Sequence, residues 1–214
     1  MASEQATTQL GAYKKTWLTR QFGHPTGLLG RIMGHLMALE HRKLNRVAVD
    51  LLDVQPDDRV LEIGYGPGTA IAMLAERATD GLVAGVDISE VMLKQATTRN
   101  HPAIEAGRVD LRQGSVSNLP FDDSRFTRVC TINCFHDWPN QAQDLREVHR
   151  VMAGGGLLLL WLPMKPPGGK KMTPGHTDDE VRQIQAMLTD AGFGDLRTHT
   201  PEFGRPVTCV LANR

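Results

Sequence analysis

Three glycines alternate directly after a short apolar run, and this stretch offers the clearest opportunity for chemistry in the chain. The apolar run spans 60–63, the glycines are Gly64, Gly66 and Gly68, and the Ala-rich segment 69–76 follows. This pattern predicts a buried strand that enters a tight turn and then a helix. Glycines let the backbone approach a ligand closely, and a helix N-terminus presents N–H groups. The stretch therefore predicts a seat for the polar groups of a ligand.

Two acids near the glycines narrow the choice of ligand. Glu62 precedes the first glycine by two residues, and Asp87 ends the next β-prone run, 19 residues after Gly68. An acid at that strand end is placed to accept hydrogen bonds from two ribose hydroxyls. Thr69 stands where a dinucleotide fingerprint has its third glycine, and the Glu62 carboxylate repels phosphate but attracts an ammonium group. S-adenosylmethionine, which has an ammonium and a ribose but no phosphate, fits this pattern better than NAD.

Composition bounds the class of function. The 214 residues suffice for one α/β domain, and 24 basic and 24 acidic residues cancel, so no whole-chain field steers the protein to nucleic acid. The sequence predicts no membrane span, and the polar segment 1–15 has no signal-peptide core, so we expect a cytoplasmic protein. Cys130, Cys134 and Cys209 have no CxxC spacing and are predicted to be buried hydrophobes, without a metal site. A small molecule is the expected partner.

Strand-like and helix-like segments alternate after the glycine turn. The predicted strands are 82–87, 108–112, 127–133, 157–162, 195–200 and 207–212, and the predicted helices are 91–98, 141–152 and 178–191. The glycines at 154–156 are expected to end the second of these helices. This order predicts an α/β fold: a Rossmann-like, open and mostly parallel sheet flanked by helices, closed by a C-terminal antiparallel hairpin.

The segment 1–53 is predicted to be an N-terminal helical arm ahead of a cofactor-binding domain at 54–214. Apolar residues recur at three- and four-residue spacing through 28–52, which is typical of amphipathic helices. Tyr13 and Trp17 lie upstream in an irregular, aromatic-rich segment. They are candidates for the wall of an acceptor pocket, and the alternative is an apolar staple between the arm and the domain.

Four motifs in order carry a resemblance to a known family. They are VLEIGYGPG at 60–68, GVDIS at 85–89, GSV at 114–116 with LPF at 119–121, and VHRVMAGGG at 148–156. The series resembles the motifs of class I S-adenosylmethionine-dependent methyltransferases, and is similar to those of small-molecule enzymes related to ubiquinone and menaquinone C-methyltransferases. The similarity covers about 50–162 and continues more weakly through the final helix and hairpin. It implies methyl transfer to an O, N or C atom of a small molecule, with S-adenosylhomocysteine as product.

The resemblance also implies roles for residues near the turn. Glu62 and the backbone of 64–68 would hold the methionine end of the cofactor, and Asp87 would hold the ribose. Tyr65 is bulkier than the residue often found at its position, so it would narrow the pocket or place its π face near the sulfonium.

The adenine end is implied to lie beyond Asp87. Ile88 and Met92 would flank the adenine, although their helical spacing equally suits core residues. Ser115 occupies a position that is commonly Asp in the family, and its hydroxyl would bond the adenine amino group more weakly. The remaining candidates for cofactor contact at this sheet edge are Gly114, Val116 and Asn133.

Chemistry at the acceptor is predicted just beyond the fourth strand. His136 is the histidine at the predicted site, and an imidazole can remove a proton from an acceptor near neutral pH. Asp137 is placed to orient it, while Phe135 and Trp138 are candidates for the acceptor pocket. The alternatives are a loop-ordering role for His136 and a loop anchor for Trp138. Two other functions stay open here: a nicotinamide-dependent oxidoreductase and a non-catalytic cofactor-binding protein.

Overall fold

The computed structural model describes residues 42–166, 175–202 and 206–214, and the elements are numbered within these ranges. The helices are α1 Arg42–Leu52, α2 Thr69–Arg77, α3 Glu90–Glu105, α4 Gln141–Val151 and α5 Asp178–Asp190. The strands are β1 Arg59–Ile63, β2 Leu82–Asp87, β3 Val109–Gln113, β4 Phe126–Ile132, β5 Met152–Pro163, β6 Gly194–His199 and β7 Val207–Asn213.

The described strands form one seven-stranded sheet in the order β3-β2-β1-β4-β5-β7-β6. The pairs from β3 to β5 are parallel, and β7 is antiparallel to both β5 and β6. Strand order reverses beside β1, so the crevice at the carboxyl ends of β1 and β4 is the expected ligand position. The predicted α/β fold and its C-terminal hairpin are confirmed.

Apolar clusters cover both faces of the sheet. Along β5, Leu158 and Leu160 belong to one cluster, while Leu159 and Trp161 belong to the other. All four side chains are fully buried, which a continuous apolar strand in the middle of a parallel sheet requires. Helix α1 packs its Leu44, Ala48 and Leu52 side into the second cluster. The sheet is therefore packed with apolar side chains on both of its faces.

Two elements differ from the sequence prediction. Helix α3 extends to Glu105, well past the predicted end at 98, and contains Pro102 in its last turn. The glycines at 154–156 lie inside β5 instead of ending α4, because the chain turns directly from Val151 into the strand at Met152. The predicted helix 28–52 is observed over Arg42–Leu52, and its remainder lies outside the described residues. Within the described ranges, no helix has the length and apolar character needed to cross a membrane.

Candidate active site

The glycine turn leaves β1 and enters α2 through three left-handed glycines. Gly64, Gly66 and Gly68 have φ values of 77°, 52° and 74°. The Gly64 N–H donates to the Val86 carbonyl of β2 at 2.7 Å, and the Gly68 N–H donates to the Tyr65 carbonyl at 3.0 Å. Side chains other than hydrogen are strained at such φ values, so the sequence GYGPG fits this backbone.

The three glycines differ in the space around the position of a Cβ atom. A Cβ on Gly64 would lie 2.3 Å from Cys134 Sγ, and one on Gly68 would lie 2.6 Å from Asn100 Nδ2. A Cβ on Gly66 would meet no heavy atom of the described residues within 4 Å. A side chain at position 64 or 68 would thus overlap its neighbours, whereas Gly66 faces space that the described residues leave open.

Asp87 joins the turn to helix α3. Its Oδ2 accepts from the Gly66 N–H at 2.9 Å, and its Oδ1 accepts from the Ser89 N–H at 2.8 Å. Ser89 is the residue before α3, and its hydroxyl accepts from the Met92 N–H, as predicted for an N-cap. These contacts fix the orientation of the half-buried carboxylate at the carboxyl end of β2.

Glu62 is an acid enclosed beneath the turn. Its side chain is 3% exposed, and its Oε2 has no hydrogen-bond partner. Burial, followed by the nearby Asp87 charge, raises the pKa of Glu62 well above its usual range, against the opposing effect of the Ile71 N–H. An ammonium group supplies the hydrogen bond and the positive charge that this oxygen lacks, so the site fits the amino end of S-adenosylmethionine.

Tyr65, Ile88 and Met92 lie at different depths. Tyr65 is buried, and its hydroxyl donates to the Arg112 carbonyl on β3 at 3.2 Å. Its ring therefore points into the core and not into the open space beside Gly66. Met92 is 2% exposed within the second apolar cluster, which favours the core alternative. Ile88 is 43% exposed and remains available to cover an adenine ring.

The segment after β3 is ordered by its own contacts. The Gly114 N–H donates to the Asp87 carbonyl at 3.0 Å, and the Ser115 hydroxyl accepts from the Ser117 N–H at 3.2 Å. Val116 opens a short 3₁₀ turn and is buried in the first cluster. The Ser115 oxygen therefore serves as a cap, and its hydroxyl keeps a second lone pair and its proton for a ligand such as the adenine amino group.

The carboxyl end of β4 lies against the turn. Cys134 donates its thiol proton to the Ile63 carbonyl at 3.0 Å and contacts the Thr131 hydroxyl at 2.7 Å. Burial raises the pKa of this thiol to about 12, so it is a packing group and not a nucleophile. Asn133 has a left-handed φ of 60°, and its buried Oδ1 has no hydrogen-bond partner. This amide oxygen is a second acceptor that a ligand donor would satisfy.

A pair of imidazoles lies beyond this point. His136 Nε2 is 3.4 Å from Asp137 Oδ2, and its ring centroid is 6.4 Å from that of His176. The backbone of His176 pairs with the end of β5. Its backbone N–H donates to the Pro163 carbonyl at 2.7 Å, and its backbone carbonyl accepts from the Lys165 N–H at 2.8 Å. Sequence reasoning missed His176, because its partner lies 40 residues away in the chain.

The charges around His176 determine its protonation. Burial lowers the pKa of His176, the charges of His136 and Lys165 lower it further, and Glu180 opposes them. The imidazole is therefore neutral near pH 7. No cluster of three or more potential metal ligands occurs among the residues with described positions.

Phe135 and Trp138 are not placed as pocket walls. Phe135 is 1% exposed and Trp138 is 8% exposed, and their ring centroids lie 4.9 Å apart within the first apolar cluster. This burial corrects the pocket prediction for Phe135 and favours the loop-anchor alternative for Trp138. Tyr13 and Trp17 lie outside the described residues.

Helix α3 supplies two residues that sequence reasoning missed. Asn100 Nδ2 donates to the Gly68 carbonyl at 3.1 Å, and Arg99 Nε donates to the Pro67 carbonyl at 2.9 Å. Both hold the outer half of the glycine turn from behind. A buried Asn in a helix next to a glycine turn gives no distinctive sequence signal, so only the fold reveals these roles.

Comparisons with known proteins agree with this geometry. A family model described as a methyltransferase domain matches residues 61–160. The uncharacterized methyltransferase YdaC of Bacillus subtilis is 31% identical, over 77% of this chain and 87% of that protein. A demethylmenaquinone methyltransferase of Thermus thermophilus is 32% identical, over 82% of this chain and 77% of that protein.

A solved structure supports the fold. The S-adenosylmethionine-dependent methyltransferase from Aquifex aeolicus superposes with a TM-score of 0.65 at 21% identity, over 78% of this chain and 88% of that one. The sheet order, the glycine turn with its two acids and the two sequence relatives lead to one conclusion. The chain belongs to the S-adenosylmethionine-dependent methyltransferase family.

Proposed function

We propose that this methyltransferase transfers the methyl group to a small-molecule acceptor that binds at the carboxyl ends of β4 and β5, beside His136. The observation that carries the proposal is the His136–Asp137 pair next to His176, on the edge that the glycine turn also occupies. S-adenosylmethionine supplies a methyl group already activated by its sulfonium. The protein therefore has to bind, orient and, for some acceptors, remove a proton.

Cofactor binding is assigned to the turn and its acids. Glu62 would accept a hydrogen bond from the ammonium group through its unpartnered Oε2. The open space beside Gly66 would leave room for the cofactor to approach the backbone of the turn. Asp87 would accept from the ribose hydroxyls, since its carboxylate is already oriented by Gly66 and Ser89. The Asn133 oxygen offers a further acceptor at the same end of the site.

Proton removal is assigned to His136. The hydrogen bond from Cys134 to the Ile63 carbonyl holds the start of the loop against β1, two residues before His136. Its side chain is half exposed, so it can reach an acceptor, and Asp137 can fix the orientation of the imidazole. Neutral His176 presents a second imidazole on the same edge, without adding a positive charge that would repel the sulfonium.

The relatives support a small acceptor. The Thermus thermophilus relative is named for demethylmenaquinone, and a second relative, of Amycolatopsis mediterranei, is named for 27-O-demethylrifamycin SV. Both names denote small-molecule acceptors. We infer that this chain also methylates an acceptor of this size class.

The test is methyl transfer from radiolabelled S-adenosylmethionine into fractionated cell extract. We expect label in the small-molecule fraction with the wild-type protein and none with Asp87→Ala. Replacement of His136 by Gln should lower kcat by about 100- to 10,000-fold if the acceptor must lose a proton. Label confined to the protein or RNA fraction would overturn the proposal, as would binding of S-adenosylmethionine without transfer to any fraction.

A further inference from the structure

Tyr65 is the large side chain of the glycine turn, and its ring is buried in the core instead of facing the open space beside Gly66. Its two glycine neighbours have left-handed φ values. The turn at 64–68 has only two side chains, those of Tyr65 and Pro67. We propose that Tyr65 is a positioning residue for cofactor binding, whose ring in a notch above Gly85 sets the position of the turn and thereby the Asp87 carboxylate.

The notch exists because β2 has no side chain at Gly85. A Cβ on Gly85 would lie 2.6 Å from Tyr65 Cδ1, 3.0 Å from Ile71 Cδ1 and 3.0 Å from Leu111 Cδ2. The Tyr65 ring therefore occupies the space that any other residue at position 85 would fill. A tyrosine in the turn and a glycine in the strand are complementary, 20 residues apart in the sequence.

The hydroxyl ties the turn to the sheet edge. Tyr65 Oη donates to the Arg112 carbonyl, and Arg112 belongs to β3, which pairs with β2 next to Gly85. Burial, followed by the charges of Asp87 and Glu62, raises the pKa of Tyr65 above its usual range, so the hydroxyl keeps its proton. The ring and the hydroxyl together fix the turn against two neighbouring strands.

Backbone hydrogen bonds link the position of Tyr65 to Asp87, the carboxylate proposed to bind the ribose. The Tyr65 carbonyl accepts from the Gly68 N–H at 3.0 Å, and the next residue, Gly66, donates its N–H to Asp87 Oδ2 at 2.9 Å. A shift of the ring thus moves the donor that orients Asp87. The glycines themselves allow many backbone conformations, so the Tyr65 side chain restricts the turn together with Asn100 and Arg99, which bond its outer half.

Calorimetric titration with S-adenosylhomocysteine tests this role. Tyr65→Phe removes one hydrogen bond, so Kd should rise by about fivefold. Tyr65→Ala should raise Kd by more than about tenfold. Phe126→Leu is the matched control, because Phe126 is a fully buried aromatic at the opposite end of β4. This control should lower Tm without changing Kd. An unchanged Kd in a folded Tyr65→Phe protein would overturn the proposal.

A double-mutant cycle with Asp87→Asn separates positioning from general stability. If Tyr65 acts through Asp87, the fivefold effect of Tyr65→Phe should fall below about twofold in the Asp87→Asn background. A purely structural role predicts the same factor in both backgrounds, and that result would contradict the proposal.

Size complementarity gives an independent readout. Gly85→Ala should weaken S-adenosylhomocysteine binding and lower Tm in the wild-type background, because the new Cβ overlaps the Tyr65 ring. In the Tyr65→Ala background the same change should cost less affinity and less Tm, since the new Cβ then meets only Ile71 Cδ1 and Leu111 Cδ2, each at 3.0 Å. Equal losses in the two backgrounds would exclude the notch as the source of the effect.

Discussion

Replacing Glu62 by Gln should weaken cofactor binding while stabilising the cofactor-free protein. Gln keeps the shape of the side chain and removes its charge. In the absence of a cation, the buried Glu62 carboxylate has one unpartnered oxygen and lies near the Asp87 charge. The same carboxylate is the group that would bind the ammonium. Binding and folding stability therefore move in opposite directions.

The size of the binding effect follows from one charge-assisted hydrogen bond. Such a bond contributes about 1.5–3 kcal/mol, so Kd for S-adenosylhomocysteine should rise by about 10- to 150-fold in Glu62→Gln. An ammonium pairs with the ionised acid, so binding should also release a proton where free Glu62 is protonated. Calorimetry in buffers of different ionisation enthalpy measures that proton.

The stability effect depends on pH. Because the pKa of Glu62 is raised in the folded state, its protonated form stabilises the fold below about pH 4.5, and this contribution is lost as pH rises through the folded pKa. The unfolding free energy of Glu62→Gln relative to wild type should therefore increase with pH. An unsatisfied buried charge costs at least about 1 kcal/mol, which corresponds to about 2–4 °C in Tm.

Glu147→Gln is the control of opposite sign. The Arg150 guanidinium holds the pKa of Glu147 below its usual range, and Glu147 also accepts from the Leu119 N–H. Its contribution is present above about pH 4.5 and is lost as pH falls, so Glu147→Gln should lose Tm at neutral pH. Thermal unfolding of both variants from about pH 4 to pH 9 checks the pair. Equal Kd values for S-adenosylhomocysteine in Glu62→Gln and wild type would show that Glu62 does not bind the ammonium group.

Three further outcomes are expected. Gly66→Ala should cost only about 1–2 kcal/mol of stability for its left-handed backbone but lose most S-adenosylhomocysteine affinity, because its Cβ points into the open site. Gly68→Ala should lower the free energy of unfolding, measured by denaturant, by about 2–5 kcal/mol, since its Cβ also overlaps Asn100 and Ala96. Equal decreases in the free energy of unfolding for Gly66→Ala and Gly68→Ala would contradict this prediction. His176→Gln should gain stability relative to wild type on acidification from about pH 7.5 to pH 5, because the contribution of neutral His176 is present above about pH 6.5 and is lost as pH falls through its lowered pKa.

Local patterns in the sequence were sufficient for the sheet. Strand β2 has the predicted bounds, and β5 was predicted from an apolar run because burial on both faces leaves little choice of residue. Ser89, a residue type that N-cap positions favour, is the N-cap of α3. Each of these features depends on neighbours within a few residues, which a linear sequence displays.

Helix α3 shows where local patterns were insufficient. The sequence predicts its end at 98, whereas its second half, which is polar and contains Pro102, remains helical to Glu105. In the structure this half continues because Asn100 and Arg99 bond the carbonyls of the glycine turn. These contacts span 32 residues in the chain, and tertiary contacts outweigh the local preference.

The site was predictable in part for the same reason. Glu62, Asp87 and the glycines are placed by one strand-turn-helix unit and its neighbour, which a motif encodes. Tyr65 turned inward because a glycine in another strand leaves room for it, and His176 joins His136 through the fold alone. Such pairings depend on the distances between elements, and no single segment contains them.

Titration of S-adenosylhomocysteine into wild-type and Asp87→Ala protein tests most directly that the glycine-turn edge holds the cofactor. Two hydrogen bonds from ribose hydroxyls to a carboxylate would be lost, so Kd should rise by about 100-fold or more, with thermal unfolding showing that the variant is folded. Equal affinity in the two proteins would contradict the account and place the cofactor elsewhere on the molecule.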